Sequence, residues 1–285
     1  VASPAASTQP TPTFMRLHYT VHRAEPGADW VVLVPGAGVH SGIWDPQVDA
    51  FRNRFNLLLP DLRGHGRSSS PRDPGDPNPY TWEEVSHDVL ALMDDLGIER
   101  AHFVGVSMGC LVTRTLAEIA PERVLSMVLA GAIGRLDRRA RTLIALAQLL
   151  KNVVPYLWLY TVYAWILLPR PGHAESRARV IHQARSLGRA EFLRWLPLAR
   201  SLPRYLQRLE AHDPGIPALY VMGDQDHMFL DGVRAVAAAH ESARFHLIPD
   251  CGHVCTLQCA PTFNRVALDF LARMASDAPR QQDVS

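Results

Sequence analysis

The stretch HFVGVSMGC, residues 102–110, sets a serine between two glycines: Gly105-Val106-Ser107-Met108-Gly109. An apolar run leads into it, and MGCLVTRTLAEIAPE, with helical character, leads out. Glycine is common at strand-to-helix turns for steric reasons alone, so the pentapeptide has two readings. It is a plain turn, or it is a sharp bend that exposes the Ser107 hydroxyl as a nucleophile. The second reading requires a base, an acid and an oxyanion site in the right places elsewhere in the chain.

Working outward, strand-like runs alternate with helix-like runs, the pattern of a mostly parallel central sheet covered by helices. DWVVLVPG (29–36) is β-branched and stops at Pro-Gly; FNLLLPDLRGHG (55–66) opens into a Gly-rich loop. In TWEEVSHDVLALMDDLG, Thr81 and Glu84 have capping-box spacing, and Val85, Val89, Leu92, Met93 and Leu96 recur at helical spacing before Gly97. VLSMVLAGA (124–132), PALYVMGDQD (217–226) and ARFHLIPDC (243–251) supply further strands. A final helix carries Phe263, Val266, Ala267, Phe270, Leu271 and Met274 on one face.

The 285 residues suffice for one large domain with an insertion. A hydrophobic content of 47%, a charged content of 20% and a net charge of +1 describe a packed globular protein and exclude nucleic acid as an expected partner. Four cysteines are too few for a disulfide framework. Cys251, Cys255 and Cys259 recur around His253, but no C-x-x-C pair is present, so no metal is expected and the thiols read as small hydrophobes. Residues 1–14, rich in Ala, Ser, Thr and Pro, read as a disordered tail without the features of an intact signal peptide. Met15 reads as an alternative start, and residues 277–285 are expected to be a C-terminal tail. The expected compartment is the cytoplasm, with a processed secreted form as the alternative.

The nucleophile reading gains its missing parts from chain order. After Ser107, the strand ALYVMG ends in Asp224-Gln225-Asp226, and FHLIPD ends at Cys251-Gly252-His253. Both ends lie at the carboxyl edge of the sheet, where sites gather. A serine hydroxyl needs an imidazole to take its proton, and the imidazole needs a carboxylate to fix its tautomer. His253 is therefore the candidate base among thirteen histidines, with His240 at a helix end and His246 inside a strand set aside. Asp226 is the candidate acid ahead of Asp224. The oxyanion requires two backbone donors: Met108, at its helix N-terminus, and Ala37, in the Pro35-Gly36-Ala37-Gly38 loop.

With these parts in order, the chain resembles the α/β-hydrolase superfamily, in the serine-nucleophile group with a helical cap. VPGAGVHSGIW, PDLRGHGRSS, VGVSMG, GDQDHMF and DCGHVCTLQCAPTFNRVALDFL match its landmarks in sequence. The resemblance implies Ser107, Asp226 and His253 as a triad, Ala37 and Met108 as oxyanion donors, and neither metal nor cofactor. Between Gly134 and Gly215 the alternation breaks into several helix-like runs with no strand, so 134–214 reads as an inserted helical cap in a core of residues 15–133 and 215–276. One departure stands out: many relatives carry His-Gly where this chain has Pro35-Gly36, so the side chain that would help to pin the oxyanion loop is missing. Pro35 instead fixes its own φ. RGHGRS (63–68) reads as a structural loop near the site.

A serine at the elbow points to acyl transfer to water, on a small-molecule carboxylic ester. Within the insertion, VVPYLWLYTVYAWILLP (153–169) has seventeen residues and no charge. A membrane span needs about twenty apolar residues, so the segment reads first as a buried lid helix. Membrane insertion and transient contact with lipid or greasy substrate are the alternatives. Trp158, Tyr160, Tyr163 and Trp165 would line a pocket that favours an apolar acyl chain. Lactone hydrolysis, C–C bond hydrolysis and perhydrolysis use the same residues. A ligand-binding receptor that turns over slowly, or a membrane-tethered interaction protein, would keep them as well.

Overall fold

The computed structural model describes residues 15–68 and 80–277; the expected tails lie outside these, apart from Asp277. Among the described residues a seven-stranded sheet runs in the order β1-β3-β2-β4-β5-β6-β7. Its strands are β1 (Tyr19–His22), β2 (Trp30–Val34), β3 (Asn56–Pro60), β4 (Ala101–Val106), β5 (Val124–Ala130), β6 (Ala218–Gly223) and β7 (Ala243–Ile248). Every pairing is parallel except β1 with β3. The central strands are buried on both faces, as continuous runs such as Val31–Val34 and Ala101–Val106 require. The antiparallel edge strand β1 has no counterpart in the sequence reading, because four residues with mixed burial carry too little pattern.

The helices are α1 (Asp45–Phe51), α2 (Trp82–Asp95), α3 (Met108–Ile119), α4 (Arg138–Leu150), α5 (Tyr156–Leu167), α6 (Ala174–Ala184), α7 (Gly188–Trp195), α8 (Leu198–Ala211), α9 (Leu230–Ala239), α10 (Cys255–Gln258) and α11 (Ala260–Asp277). Helix α2 starts at the expected capping box. The Glu84 amide donates to Thr81 Oγ1 at 3.1 Å and the Thr81 amide donates to Glu84 Oε2 at 2.9 Å. Its buried face places Asp88 against Arg63: Nε donates to Oδ2 at 2.6 Å and Nη2 to Oδ1 at 2.7 Å. The pair is fully enclosed, and the Met15 amide adds a third bond to Asp88 at 2.8 Å.

Between β5 and β6 the chain forms α4 to α8 and no strand. Arg114 of α3 fastens the end of this helical segment to the core. Its guanidinium donates to the Leu209 and His212 carbonyls, each at 2.9 Å, and to Tyr220 Oη at 2.8 Å. Helix α5 corrects two expectations. Its twelve residues span roughly 18 Å, and among the described residues no helix is long and apolar enough to cross a membrane. Nor is it a buried helix. Trp158, Val162 and Trp165 are 70%, 55% and 52% exposed, whereas Tyr160, Ala164 and Leu167 turn inward. The two tryptophans therefore face solvent rather than a pocket, and the Arg177 guanidinium sits 3.5 Å over the Trp165 ring.

Candidate active site

Ser107 is the single residue between β4 and α3, and its backbone takes φ 54° and ψ −116°. An L-residue in so sparsely populated a region stores on the order of 1–3 kcal/mol of strain. The surroundings enforce it: the Ser107 amide donates to the Ala130 carbonyl at 2.9 Å and its own carbonyl accepts from the Cys110 amide at 3.0 Å. Strand and helix meet so closely that a Cβ on Gly109 would collide with the Val34 carbonyl oxygen. A Cβ on Gly105 would lie 2.7 Å from the Gly109 carbonyl carbon. The two glycines are thus a packing requirement of a bend that also presents the serine.

The loops after β6 and β7 bring their residues to the same edge. His253 Nε2 lies 2.9 Å from Ser107 Oγ, and His253 Nδ1 lies 2.8 Å from Asp226 Oδ2. A carboxylate accepts, so Nδ1 carries the proton and Nε2 is the acceptor for the serine hydroxyl. Asp226 Oδ1 accepts from the Met228 and Phe229 amides at 3.3 and 3.2 Å, which fixes the carboxylate. Asp226 and His253 are wholly buried, and the Phe229 ring packs 5.3 Å from the imidazole. Asp224 faces away and accepts the Cys251 amide at 3.1 Å. His240 bonds the Glu210 carbonyl at 2.9 Å, and His246 stays in β7.

A hydroxyl, an imidazole and a carboxylate in one hydrogen-bonded line can generate an alkoxide-like nucleophile at neutral pH. The Met108 amide, at the first turn of α3, has no intrahelical acceptor. The loop after β2 packs on the bend: a Cβ on Gly36 would lie 3.5 Å from Ser107 Cβ. Ala37 is exposed, and among the described residues its N–H meets no protein acceptor. Among the described residues no three His, Cys, Asp or Glu side chains group as metal ligands. Cys251, Cys255 and Cys110 are buried, and burial pushes the Cys255 thiol up to about 12.

Three residues near the site make contacts that the sequence reading did not assign to them. His65, of RGHGRS, accepts the Gly38 amide on Nε2 at 2.9 Å, with Nδ1 3.1 Å from the Arg63 carbonyl. Tyr160 of α5 donates to the Ala37 carbonyl at 2.9 Å. His173, just before α6, bonds Gln225 Oε1 at 2.9 Å and abuts Gly252, so it touches the loops of both Asp226 and His253. Asp61 organises the RGHGRS loop by accepting the Ser41 amide at 2.8 Å and the Arg67 amide at 2.9 Å. Burial raises its carboxyl, but these amides outweigh that and hold it below its usual value. The signal for His65 is the landmark motif itself; Tyr160 reads as a pocket-lining aromatic, with nothing in the sequence to tie its hydroxyl to Ala37, and His173 leaves no signal.

Fold and geometry together define a hydrolase of the α/β class. The chain belongs to the alpha/beta hydrolase family, which it matches over residues 31–265. It is 28% identical over 267 residues to a Stutzerimonas stutzeri protein named as a carbamate hydrolase, RutD, covering 90% of this chain and 97% of that one. It is 34% identical over 115 residues to 3-oxoadipate enol-lactonase 2 of Acinetobacter baylyi, 40% of this chain and 41% of the relative. The crystal structure of the enol-lactonase from Burkholderia xenovorans LB400 superposes with a TM-score of 0.72 at 27% identity, over 90% of this chain and 96% of that one.

Proposed function

We propose that the protein is a serine hydrolase that cleaves carboxylic esters with an apolar acyl part through an acyl-enzyme. The observation that carries this reading is the unbroken line Ser107–His253–Asp226, with contacts of 2.9 and 2.8 Å. Ser107 Oγ attacks the ester carbonyl while His253 Nε2 takes its proton. The tetrahedral oxyanion is met by the Ala37 and Met108 amides, and the imidazolium, held by Asp226, protonates the departing alkoxide. His253 then deprotonates a water, which releases the acid and restores Ser107. The helices between β5 and β6 act as a cap, with Tyr160 and Phe229 bounding the apolar side of the site.

A lactone is an internal ester, and its ring opening follows the same steps. Similarity to two enol-lactonases supports this as the second reading. We also propose that the exposed apolar face of α5 makes transient contact with lipid. From Arg138 to Ala174 the chain carries Arg138, Arg139, Arg141, Lys151 and Arg170 and no acidic residue, which suits an anionic surface.

The test is a p-nitrophenyl ester series from acetate to palmitate, with a lactone series beside it, on wild type and Ser107→Ala. The ester reading expects turnover that falls by several orders of magnitude in the variant, with an optimum beyond acetate. A folded wild type that opens lactones and leaves every ester intact moves the reading to a lactonase. A folded wild type inert on both series removes simple acyl hydrolysis.

A further inference from the structure

The peptide unit joining Ala37 to Gly38 is held from both ends. Its carbonyl accepts the Tyr160 hydroxyl at 2.9 Å, and its N–H donates to His65 Nε2 at 2.9 Å. The two partners come from different parts of the molecule: Tyr160 from α5 above the loop, His65 from the loop that follows β3. His65 is itself fixed. Its Nδ1 faces the Arg63 carbonyl, which can only accept, so Nε2 is left as an acceptor. The Trp195 indole donates to that same carbonyl at 3.1 Å and packs edge-on to the imidazole at 5.0 Å.

Contact leaves the loop no slack. Gly38 has φ +72°, and a Cβ there would lie 2.5 Å from the Tyr160 ring. On its other side the loop rests against Val106 and Ser107 through Gly36. Peptide units are rigid planes, so fixing the Ala37–Gly38 plane leaves only the Ala37 dihedrals to aim the N–H of the preceding plane. That N–H is the proposed oxyanion donor. The sequence carries Pro35 where a pinning side chain was expected, and Pro35 brings no donor of its own.

We infer that Tyr160 and His65 are positioning residues for the oxyanion loop, and that the Ala37 donor is correctly aimed only while α5 is docked on that loop. The inference rests on the acyl-transfer reading and adds a dependence of the transition state on a residue that acts through the oxyanion loop and not on the reacting atoms. Loss of the Tyr160 hydroxyl should harm the transition state and spare substrate binding.

The decisive variant is Tyr160→Phe, which removes one hydroxyl and keeps the ring over Gly38. Tyr156→Phe is the control: that hydroxyl, on the same helix, donates to the Arg185 carbonyl at 3.0 Å, away from the site. Each is assayed for kcat and KM on the best ester, for thermal midpoint, and for inhibition by an arylboronic acid, whose tetrahedral adduct on Ser107 places an oxygen in the oxyanion site. Tyr160→Phe is expected to lower kcat by about tenfold, less than loss of a donor outright. KM should stay within about twofold, and boronate affinity should weaken in step with kcat. Tyr156→Phe should match wild type throughout. His65→Phe, if it folds, should act in the same direction. An active wild type whose Tyr160→Phe variant keeps full kcat and boronate affinity overturns the positioning role and leaves the hydrolase reading intact. So does a variant that changes KM and thermal midpoint but not boronate affinity. A wild type with neither turnover nor boronate binding overturns both.

Discussion

Acidification should release stability through one imidazole. His65 is fully enclosed, and burial draws it down to about 4 from an ordinary 6.5, against the Arg63 carbonyl and the charges of Glu191 and Asp61; His40 adds to the lowering. The geometry gives the reason. Both ring nitrogens are committed, one donating to Arg63 and one accepting from Gly38, so a second proton would set Nε2–H against the Gly38 N–H. In the unfolded chain the same imidazole protonates freely. The folded state therefore keeps the full contribution above about pH 6.5 and loses it as the pH falls through about 4. At about 1.4 kcal/mol per pH unit, the separation of 6.5 from about 4 makes the full loss about 3.5 kcal/mol, of which about 3 kcal/mol is gone by pH 4. The assay is urea unfolding of wild type and His65→Gln at a series of pH values from 7 to about 4. The wild-type stability should fall more steeply, by about 3 kcal/mol across that window, since Gln cannot protonate. Parallel curves for the two proteins would refute the reasoning, because the acid loss would then belong to other groups.

Asp226→Asn should lower kcat by about four orders of magnitude with little change in fold, since the amide favours the wrong imidazole tautomer; circular dichroism and ester turnover read the two effects. Asp88→Ala leaves Arg63 buried without its partner and should cost about 3–5 kcal/mol in denaturant unfolding. Gly109→Ala drives a methyl into the Val34 carbonyl and should leave little soluble protein; normal yield and melting would contradict the closeness of β4, α3 and the loop after β2. Co-sedimentation with phosphatidylglycerol vesicles should weaken in Trp158→Ser with ester turnover unchanged. Absence of wild-type binding removes the lipid contact.

What could be read from the sequence followed from chemistry with fixed demands. The capping box of α2 was legible because Thr81 and Glu84 need only each other across one turn. Ser107, Asp226 and His253 were legible because each falls just after a strand, and strand ends in a parallel sheet share an edge. Tyr160 and His65 act across 123 and 27 residues of chain, where spacing carries no information. The two faces of α5 were illegible for a different cause. YLWLYTVYAWIL is apolar all round, so only its neighbours decide that Tyr160 turns in and Trp158 turns out. Strand β1 was too short to register, and its pairing with β3 is set by the register Tyr19 to Pro60, which no local pattern foretells.

The backbone at Ser107 makes catalysis and durability pull in opposite directions. Glycine is the residue that adopts φ 54° most readily, and it would remove much of the strain stored at the bend. Screening variants of this protein for heat resistance alone should therefore favour Ser107→Gly, a change that deletes the proposed nucleophile. An engineer raising its melting temperature would have to hold this position fixed and look for stability among residues that the bend does not load.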